Sequence, residues 1–357
     1  MNPLGQKLAA EIAADGPITV AEFMARALYD PQHGYYITRD PLGRAGDFTT
    51  APEISPLFGE MIGLWCVQTW MEMGEPEVFA FIELGPGRGT LMADMLRAAR
   101  IRPNFLKSAK VSLVEVNPVL RAAQHNALSD FGVDVHWLDS LDAVPSGPSI
   151  IVGNEFLDCL PIRQFIRIDG VWREKLVGLD GASQLAFGLS QPVPPPPLGP
   201  DLPAAPEGTQ IEITPGFATI ITSIAARFAM APSRALFIDY GSDGVGDTFQ
   251  ALSNHTKVST LEAPGEADLT AHVNFTALAQ RAKGASLTVA GPMPQGAWLK
   301  GLGIETRARA VISANPERKN VTAGELARLL DDDQMGALFQ AIALSSSGLP
   351  PAAGFPP

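Results

Sequence analysis

Cysteine is scarce in this chain, which has 357 residues and only two cysteines, Cys66 and Cys159. Their sequence neighbours include large apolar residues such as Trp65 and Leu160, so we expect both thiols to fill the core. A disulfide framework and a thiolate metal site are therefore not expected. The five histidines show no spacing typical of metal ligands, such as His-x-x-x-His. The sequence predicts no metal centre.

Long apolar runs are also missing, and no stretch approaches the roughly 18 residues that span a bilayer. The amino terminus has no basic segment followed by an apolar core, and it carries Glu11 and Asp15 without an early arginine. These features match neither a secretory signal nor a mitochondrial transit peptide. We therefore expect a cytoplasmic protein of a bacterial cytosol, without membrane insertion.

Positive charge is in deficit, with 26 Lys and Arg residues against 38 Asp and Glu residues. The formal net charge of −12 argues against a broad nucleic-acid-binding surface and against docking on anionic lipid. Hydrophobic residues make up 46% of the chain, as in a globular protein with a large core. This length suits two units, or one domain with a sizeable insertion.

A strand, a glycine-rich turn and a helix follow one another in the first third of the chain. The apolar run Phe79–Leu84 predicts a buried strand, and the amphipathic spacing of Thr90–Arg100 predicts a helix. Glycines let a ligand approach the backbone closely, and a helix start offers N–H groups to an anion. This unit therefore predicts a nucleotide-like ligand. The residues of the turn that we expect at the ligand are Gly85, Pro86, Gly87 and Gly89.

Polar residues at consecutive strand ends make this prediction more specific. Glu83 precedes the glycines, where it would repel a dinucleotide pyrophosphate but attract an ammonium group. S-adenosylmethionine has an amino acid tail whose ammonium and carboxylate match Glu83 and the helix start. Glu115 and Val116 end a second predicted strand, where a carboxylate can accept both ribose hydroxyls. Asp139 and Ser140 end a third strand, where the adenine amino group needs an acceptor.

A fourth apolar run, which begins at Ser149, ends in the polar residues Asn154, Glu155 and Asp158. The carboxyl ends of parallel strands face the ligand crevice, so we expect these residues at the same rim as Asp239, which ends a later strand. Asn154 can donate and accept hydrogen bonds, and Glu155 can fix or deprotonate a nitrogen nucleophile. The alternative is that Asn154 and Glu155 cap the following helix, and both roles are compatible.

The repeating strand–helix pattern predicts an α/β fold with a Rossmann-like sheet, carried by residues 76–159 and 216–345. Residues 1–75 form a predicted helical region, with a capping-box pattern at Thr19 and Glu22. Residues 160–215 form a predicted insertion, with a hairpin turn at Asp169 and Gly170 followed by eight prolines in the fifteen positions 192–206. We expect residues 346–357 to form a flexible tail.

Long motifs recur along the chain, at Tyr29–Tyr36, Gly46–Glu60, Glu83–Leu91, Asn154–Phe165, Ile238–Gly241 and Pro264–Phe275. Together they resemble the MidA-type class I methyltransferases, a family that includes the mitochondrial methyltransferase assisting assembly of respiratory complex I. The resemblance extends from Gly16 to Arg307. The chain departs from the family pattern at Leu157, Cys159 and Asn274.

The resemblance implies methyl transfer from S-adenosylmethionine to an arginine of a protein. The family's known target is the 49-kDa-type subunit of NADH:ubiquinone oxidoreductase, which makes a complex I subunit the expected partner. A guanidinium attacks a methyl group only after it loses a proton, and we expect Glu155 to take that proton, with Asp158 as the second choice. The alternatives are a small-molecule methyltransferase, a cofactor-binding assembly scaffold without turnover and an NAD-dependent oxidoreductase, which Glu83 opposes.

Four further residues are candidates for the substrate side of the site. Asp47 and Phe48 lie in a polar-aromatic loop before the sheet, where Asp47 either grips the substrate or forms an Asx turn. Tyr240 and His272 either line the acceptor pocket or serve as a buried aromatic and a core histidine.

Overall fold

The computed structural model describes residues 1–38, 50–196, 205–242, 244–253 and 256–356. The chain forms two compact units. The first unit contains Met1–Phe48, Asp158–Ala218 and Ser242–Ala277. The second unit contains Thr49–Leu157, Thr219–Gly241 and Leu278–Pro357.

Helices and strands alternate through much of the chain. The helices are α1 (Pro3–Asp15), α2 (Val20–Tyr29), α3 (Tyr35–Thr38), α4 (Ala51–Ile54), α5 (Pro56–Glu72), α6 (Thr90–Ala99), α7 (Pro103–Ser108), α8 (Pro118–Leu128), α9 (Gly216–Phe228), α10 (Phe275–Gly284), α11 (Gln295–Leu302), α12 (Ile304–Ala314), α13 (Lys319–Leu330) and α14 (Met335–Leu338). The strands are β1 (Ile18–Thr19), β2 (Phe79–Leu84), β3 (Ala109–Val114), β4 (Asp134–Leu138), β5 (Ser149–Asn154), β6 (Arg163–Ile168), β7 (Val171–Leu179), β8 (Leu185–Val193), β9 (Gln210–Ile213), β10 (Ser233–Ser242), β11 (Gln250–Ser253), β12 (Thr256–Val258), β13 (Asp268–Thr270), β14 (Val273–Asn274), β15 (Thr288–Pro294) and β16 (Phe339–Ser345).

The second unit contains the predicted Rossmann-like sheet, in the strand order β15-β16-β10-β5-β2-β3-β4. The strands from β10 to β4 pair in parallel, whereas β16 runs antiparallel to both β10 and β15. The chain builds outward from β2 to β4 on one side and then returns to place β5 on the other side of β2. This reversal between β2 and β5 is the point at which open parallel sheets bind ligands.

Apolar burial holds this sheet against its helices. Helix α5 is apolar on nearly all sides, and its Phe58, Trp65 and Trp70 are almost fully buried. These rings join Phe81 of β2 and Phe105 of α7 in one continuous core. A helix that is hydrophobic all round is stable only inside a domain, so α5 fixes one covered face of the sheet.

The first unit is built around antiparallel strands in the order β1-β7-β6-β9, with β8 paired to β7. The predicted hairpin between β6 and β7 is confirmed, with Asp169 and Gly170 both at positive φ (53° and 74°) as a tight hairpin turn requires. The Thr19–Glu22 capping box is also confirmed at the start of α2. Pro192 and Val193 complete β8, so the first positions of the predicted proline-rich connector are strand, and residues 197–204 lie outside the described residues.

The end of the chain is packed where the sequence predicts a flexible tail. Ala352 and Phe355 are buried, and the Phe355 ring lies 6.1 Å from the Trp298 ring. The indole N–H of Trp65 donates to the Ala353 carbonyl over 3.2 Å. The prediction of a flexible tail over residues 346–357 is therefore wrong for the described residues 346–356, because a terminal position does not reveal the apolar surface that Phe355 covers. In the part of the chain that the structure describes, no helix combines the length and the apolarity needed to cross a membrane.

We predict that Phe355→Ala lowers the free energy of unfolding by about 3 kcal/mol, because it empties a buried aromatic site. Thermal and denaturant unfolding would measure this change. Phe187→Ala is the matched control, since Phe187 is 40% exposed and its removal should cost no more than about 1 kcal/mol. A loss for Phe355→Ala no larger than about 1 kcal/mol would contradict the prediction.

Candidate active site at the carboxyl ends of the sheet

The glycine turn joins β2 to α6 and requires its glycines for two physical reasons. Gly85, Gly87 and Gly89 have φ values of 63°, 53° and 83°, a region that other residues rarely adopt. A Cβ atom on Gly85 would lie 3.1 Å from the Phe156 ring, and one on Gly89 would lie 3.2 Å from the Gln124 Cα. A Cβ atom at Gly85 or Gly89 would therefore require its neighbour to shift by a few tenths of an ångström. The turn delivers the chain directly to the N–H groups at the start of α6.

Glu83 is a buried carboxyl group at the end of β2, with only 2% of its surface exposed. Burial raises the pKa of Glu83 to about 8, although a hydrogen bond from the backbone of Met92 opposes the shift. Among the described residues, its Oε2 atom has no hydrogen-bond partner. An unpaired buried carboxylate is costly, so a ligand ammonium placed here would supply both a donor and a compensating charge.

Asn154 provides a second buried acceptor on the neighbouring strand. Its Nδ2 donates to Glu155 Oε1 over 2.9 Å, whereas its Oδ1 has no partner among the described residues. Val152 of β5 pairs in register with Glu83 of β2, and Asn154 follows two residues later on the same face of the sheet. Two unpaired acceptors thus lie on one face where the strand order reverses. They fit a ligand with several N–H donors, as an ammonium group has.

Glu115 lies one residue beyond β3 and is 9% exposed. Its Oε1 accepts from the backbone N–H of Asn117 over 2.8 Å, and its Oε2 accepts from Gln124 Nε2 over 3.4 Å. Burial raises the pKa of Glu115, and the backbone hydrogen bonds lower it. The next residue, Val116, exposes 45% of its surface, which leaves an apolar side chain at the rim beside the carboxylate.

Asp139 and Ser140 follow β4 and are both exposed. Asp139 forms an ion pair with Arg121, whose Nη2 lies 2.6 Å from Asp139 Oδ1. The same guanidinium donates through Nε to the Glu115 carbonyl over 2.7 Å. Arg121 therefore links the ends of β3 and β4, and its guanidinium pairs with one carboxylate oxygen of Asp139.

Glu155 has φ = 49°, an uncommon backbone conformation for a residue other than glycine. Its Oε1 accepts from the backbone N–H of Ala51 over 3.0 Å as well as from Asn154. The turn after Glu155 is held by buried Asp239, whose Oδ2 accepts from the N–H groups of Phe156 and Leu157 over 3.1 and 2.8 Å. The prediction that Asn154 and Glu155 cap a following helix is wrong, because the chain continues through turns to β6. Glu155 instead accepts from the first N–H of α4, earlier in the chain.

Asp158 belongs to the first unit, where it is buried. Burial raises the pKa of Tyr29 and of Tyr36, and the nearby charges of Asp158 and Asp268 raise both further. Tyr36 donates to Asp268 Oδ1 over 2.8 Å. Asp158 therefore lies in an acidic cluster with two phenols, which the sequence did not predict.

Tyr240 and His272 show the ordinary contacts of packed residues. The Tyr240 ring packs edge-on against Phe339 with ring centroids 5.5 Å apart. The backbone N–H of His272 donates to Thr248 Oγ1 over 2.8 Å. Burial lowers the pKa of His272, and the charge of Lys257 lowers it further. These contacts agree with the structural alternative for each residue and leave the substrate role a prediction.

Two predicted substrate residues, Asp47 and Phe48, lie outside the described residues. Asn274, one of the departures from the family pattern, caps α10 through a hydrogen bond from the Ala277 N–H to its Oδ1 over 2.8 Å. Asparagine is among the preferred capping residues, so this position suits the helix start.

Helix α8 and its N-cap contribute three residues to the candidate site that the sequence did not predict. Asn117 caps the helix by accepting from Val119 N–H over 2.7 Å, and Arg121 and Gln124 follow at i+4 and i+7 on the same face. Polar residues at helical spacing directly after a strand-end acid were the signal that could have identified them. Gln124 is completely buried, which marks it as part of the site's internal structure.

A family model described as "Putative S-adenosyl-L-methionine-dependent methyltransferase" matches residues 61–293, more than half of the chain. The chain belongs to this methyltransferase family. The predicted family, fold class and cofactor are therefore confirmed, and the enzyme is an S-adenosylmethionine-dependent methyltransferase.

Relatives match almost the whole methyltransferase chain. A Danio rerio protein named protein arginine methyltransferase NDUFAF7, mitochondrial, is 37% identical over 93% of this chain and 84% of its own length. The Homo sapiens protein of the same name is 35% identical over 96% and 83%. A Burkholderia thailandensis crystal structure, described as a likely methyl transferase bound to S-adenosyl-homocysteine, superposes with a TM-score of 0.85 at 28% identity and covers 98% of this chain and 93% of its own.

We predict that S-adenosylhomocysteine binds more tightly as the pH rises toward the Glu83 pKa of about 8. Pairing with the ligand ammonium needs the ionised carboxylate, so below that pKa each binding event must release a proton. The dissociation constant, measured by calorimetry, should fall by at least about tenfold between about pH 6 and about pH 8.

Two controls isolate the carboxylate. Glu83→Gln should bind weakly with little pH dependence, and methylthioadenosine, which lacks the amino acid tail, should bind the wild type with no such trend. The same pH trend in Glu83→Gln would assign the titration to another group.

Proposed function

We propose that this methyltransferase transfers a methyl group from S-adenosylmethionine to an arginine side chain of a protein. The observation that carries the proposal is the 37% identity to the Danio rerio protein arginine methyltransferase over 93% of the chain. That match includes both compact units and so extends beyond the strands that bind the cofactor. The net charge of −12 also suits a basic acceptor.

The cofactor, when bound, supplies a methyl group already activated on a sulfonium. In this proposal the chain holds the amino acid tail between the two unpaired acceptors and the start of α6. Glu115 would accept hydrogen bonds from the ribose hydroxyls, and Val116 would offer the adenine an apolar contact. The proposed cofactor residues are Glu83, Gly85, Pro86, Gly87, Gly89, Glu115, Val116, Asp139, Ser140 and Asn154.

Glu155 is the proposed base for the acceptor. An arginine guanidinium has a pKa above about 12 and becomes a nucleophile only when a neighbouring group takes a proton. Hydrogen bonds from Ala51 and Asn154 to Oε1 fix the Glu155 carboxylate, and Asp239 fixes the turn that carries it. A base held in this way loses little entropy when it meets its substrate. Asp158 remains the second candidate.

The proposed substrate is the 49-kDa-type subunit of a bacterial NADH:ubiquinone oxidoreductase. The test is to incubate the purified enzyme with that subunit and methyl-labelled S-adenosylmethionine, and to locate the label by peptide mass spectrometry. Methylation of one arginine would support the proposal. Label in small molecules alone would indicate a small-molecule methyltransferase, and cofactor binding without any product would indicate a scaffold.

The cytoplasmic location stays a prediction, because the relatives are named as mitochondrial proteins.

We predict that Glu155→Gln lowers the turnover number by about 100-fold or more, because the amide cannot take a proton. Binding of S-adenosylhomocysteine should be unchanged, since the amide oxygen can still accept from the Ala51 N–H. Single-turnover methylation and calorimetry would measure the two effects.

Glu75→Gln is the matched control, because Glu75 is an exposed glutamate of the same unit that also has positive φ (53°). It should leave both measurements unchanged. Full activity of Glu155→Gln would exclude Glu155 as the base and direct the same test to Asp158→Asn.

A further inference from the structure

Gln124 contacts three separate segments of the second unit although it is completely buried. Its Nε2 donates to the carbonyl of Gly87 in the glycine turn over 2.7 Å. The same nitrogen lies 3.4 Å from Glu115 Oε2 at the end of β3. Its Oε1 accepts from the indole N–H of Trp137 in β4 over 2.8 Å. One amide therefore joins the ends of three consecutive parallel strands.

The chemistry of these partners allows only one orientation of the amide. The Trp137 indole is a donor only, and the Gly87 carbonyl is an acceptor only, so oxygen must face Trp137 and nitrogen must face Gly87. Both amide hydrogens then have acceptors, because Glu115 takes the second one. No other uncharged side chain of this length offers two donors and an acceptor.

The contact with Gly87 also controls the direction of the glycine turn. A trans peptide is planar, so its N–H points away from its carbonyl. Holding the Gly87 carbonyl against α8 therefore directs the next N–H, that of Arg88, away from this helix. The backbone of the turn depends on Gln124 for its orientation as well as on glycine for its φ values.

We propose that Gln124 is a positioning residue that sets the glycine turn and the Glu115 carboxylate at fixed positions relative to each other for cofactor binding. This inference rests on the proposed assignment of those two elements to the amino acid tail and the ribose of S-adenosylmethionine. Gln124 itself does not need to touch the cofactor. Its amide nitrogen donates to the Gly87 carbonyl and to the Glu115 carboxylate. An acceptor group in place of that nitrogen would be repelled by both.

Gln124→Glu tests this role with almost no change in shape. At high pH the introduced carboxylate faces the Gly87 carbonyl and the Glu115 carboxylate, which repel it, so both site elements should shift. At low pH the introduced carboxyl group is protonated and can again donate a hydrogen bond, and burial beside Glu115 favours that protonated form. Loss of the S-adenosylhomocysteine affinity at high pH and its recovery at low pH would thus report on the hydrogen bond itself.

The experiment measures S-adenosylhomocysteine dissociation constants for both proteins across the pH range. We expect the ratio of the Gln124→Glu constant to the wild-type constant to be about tenfold or more at about pH 8.5 and to approach one at about pH 6. Asn126→Asp is the control, because it adds the same charge to an exposed position of α8. Its ratio should stay near one throughout.

A second measurement covers the case in which Gln124→Glu folds poorly. Gln124→Met keeps the size of the side chain but has no hydrogen bonds, so it should weaken binding at every pH without recovery. The indole N–H signal of Trp137, assigned with Trp137→Phe, should lose its protection from solvent exchange in this variant.

The outcomes separate the two proposals. Wild-type binding together with unchanged affinity of both Gln124 variants would overturn the positioning role and leave the methyltransferase assignment intact. No binding of S-adenosylhomocysteine to the wild type would overturn the cofactor assignments and the inference that rests on them. If the ratio of the Gln124→Glu dissociation constant to the wild-type constant does not change with pH, Gln124 has only a packing role.

Discussion

The parallel pairing of β2 with β5 is the constraint on which the rest of the site depends. It places Glu83 and Asn154 on one face where the strand order reverses, and each keeps a buried acceptor atom unpaired among the described residues. A folded-state pKa of about 8 for Glu83, against an ordinary value of 4.5, means that the folded chain holds a proton there near neutral pH. This carboxyl therefore costs stability as the pH rises from its ordinary pKa toward 8, and an ammonium ligand reverses that cost by favouring the ionised form.

The turn after β5 shows how backbone strain at the site is balanced by hydrogen bonds. Glu155 has positive φ, which costs free energy for any residue with a Cβ atom. Asp239 compensates by accepting from two consecutive N–H groups that follow Glu155, and the Glu155 carboxylate in turn caps α4. A glycine at this position would relieve the strain but would remove the carboxylate that accepts from the Ala51 N–H.

The sequence was sufficient for the features that local pattern determines. The apolar run of β2, the glycine turn and each acid that follows its own strand are each defined by a few consecutive residues, so their positions could be predicted. The hydrogen bonds of Gln124 to Gly87 and of Phe156 to Asp239 span 37 and 83 positions of the chain. Such contacts depend on the order of strands in the sheet, which no local pattern contains. The buried tail at Phe355 was missed for the same reason, because its partner Trp298 is visible only in three dimensions.

The two halves of the proposed cofactor site differ in how completely their polar groups are paired. On the proposed nucleoside half, α8 provides donors to Glu115 and to Asp139, so these groups are fixed before any ligand arrives. Gln124 of the same helix also donates to the Gly87 carbonyl of the turn. On the amino acid half, Glu83 and Asn154 each retain a buried acceptor that is unpaired among the described residues. A fixed, paired surface contributes mainly shape and orientation to binding. An unpaired buried acceptor makes binding more favourable only when the ligand brings a donor to it. Discrimination between an intact cofactor and a simple nucleoside should therefore come from the residues of β2 and β5. Helix α8 should determine whether either ligand fits the site.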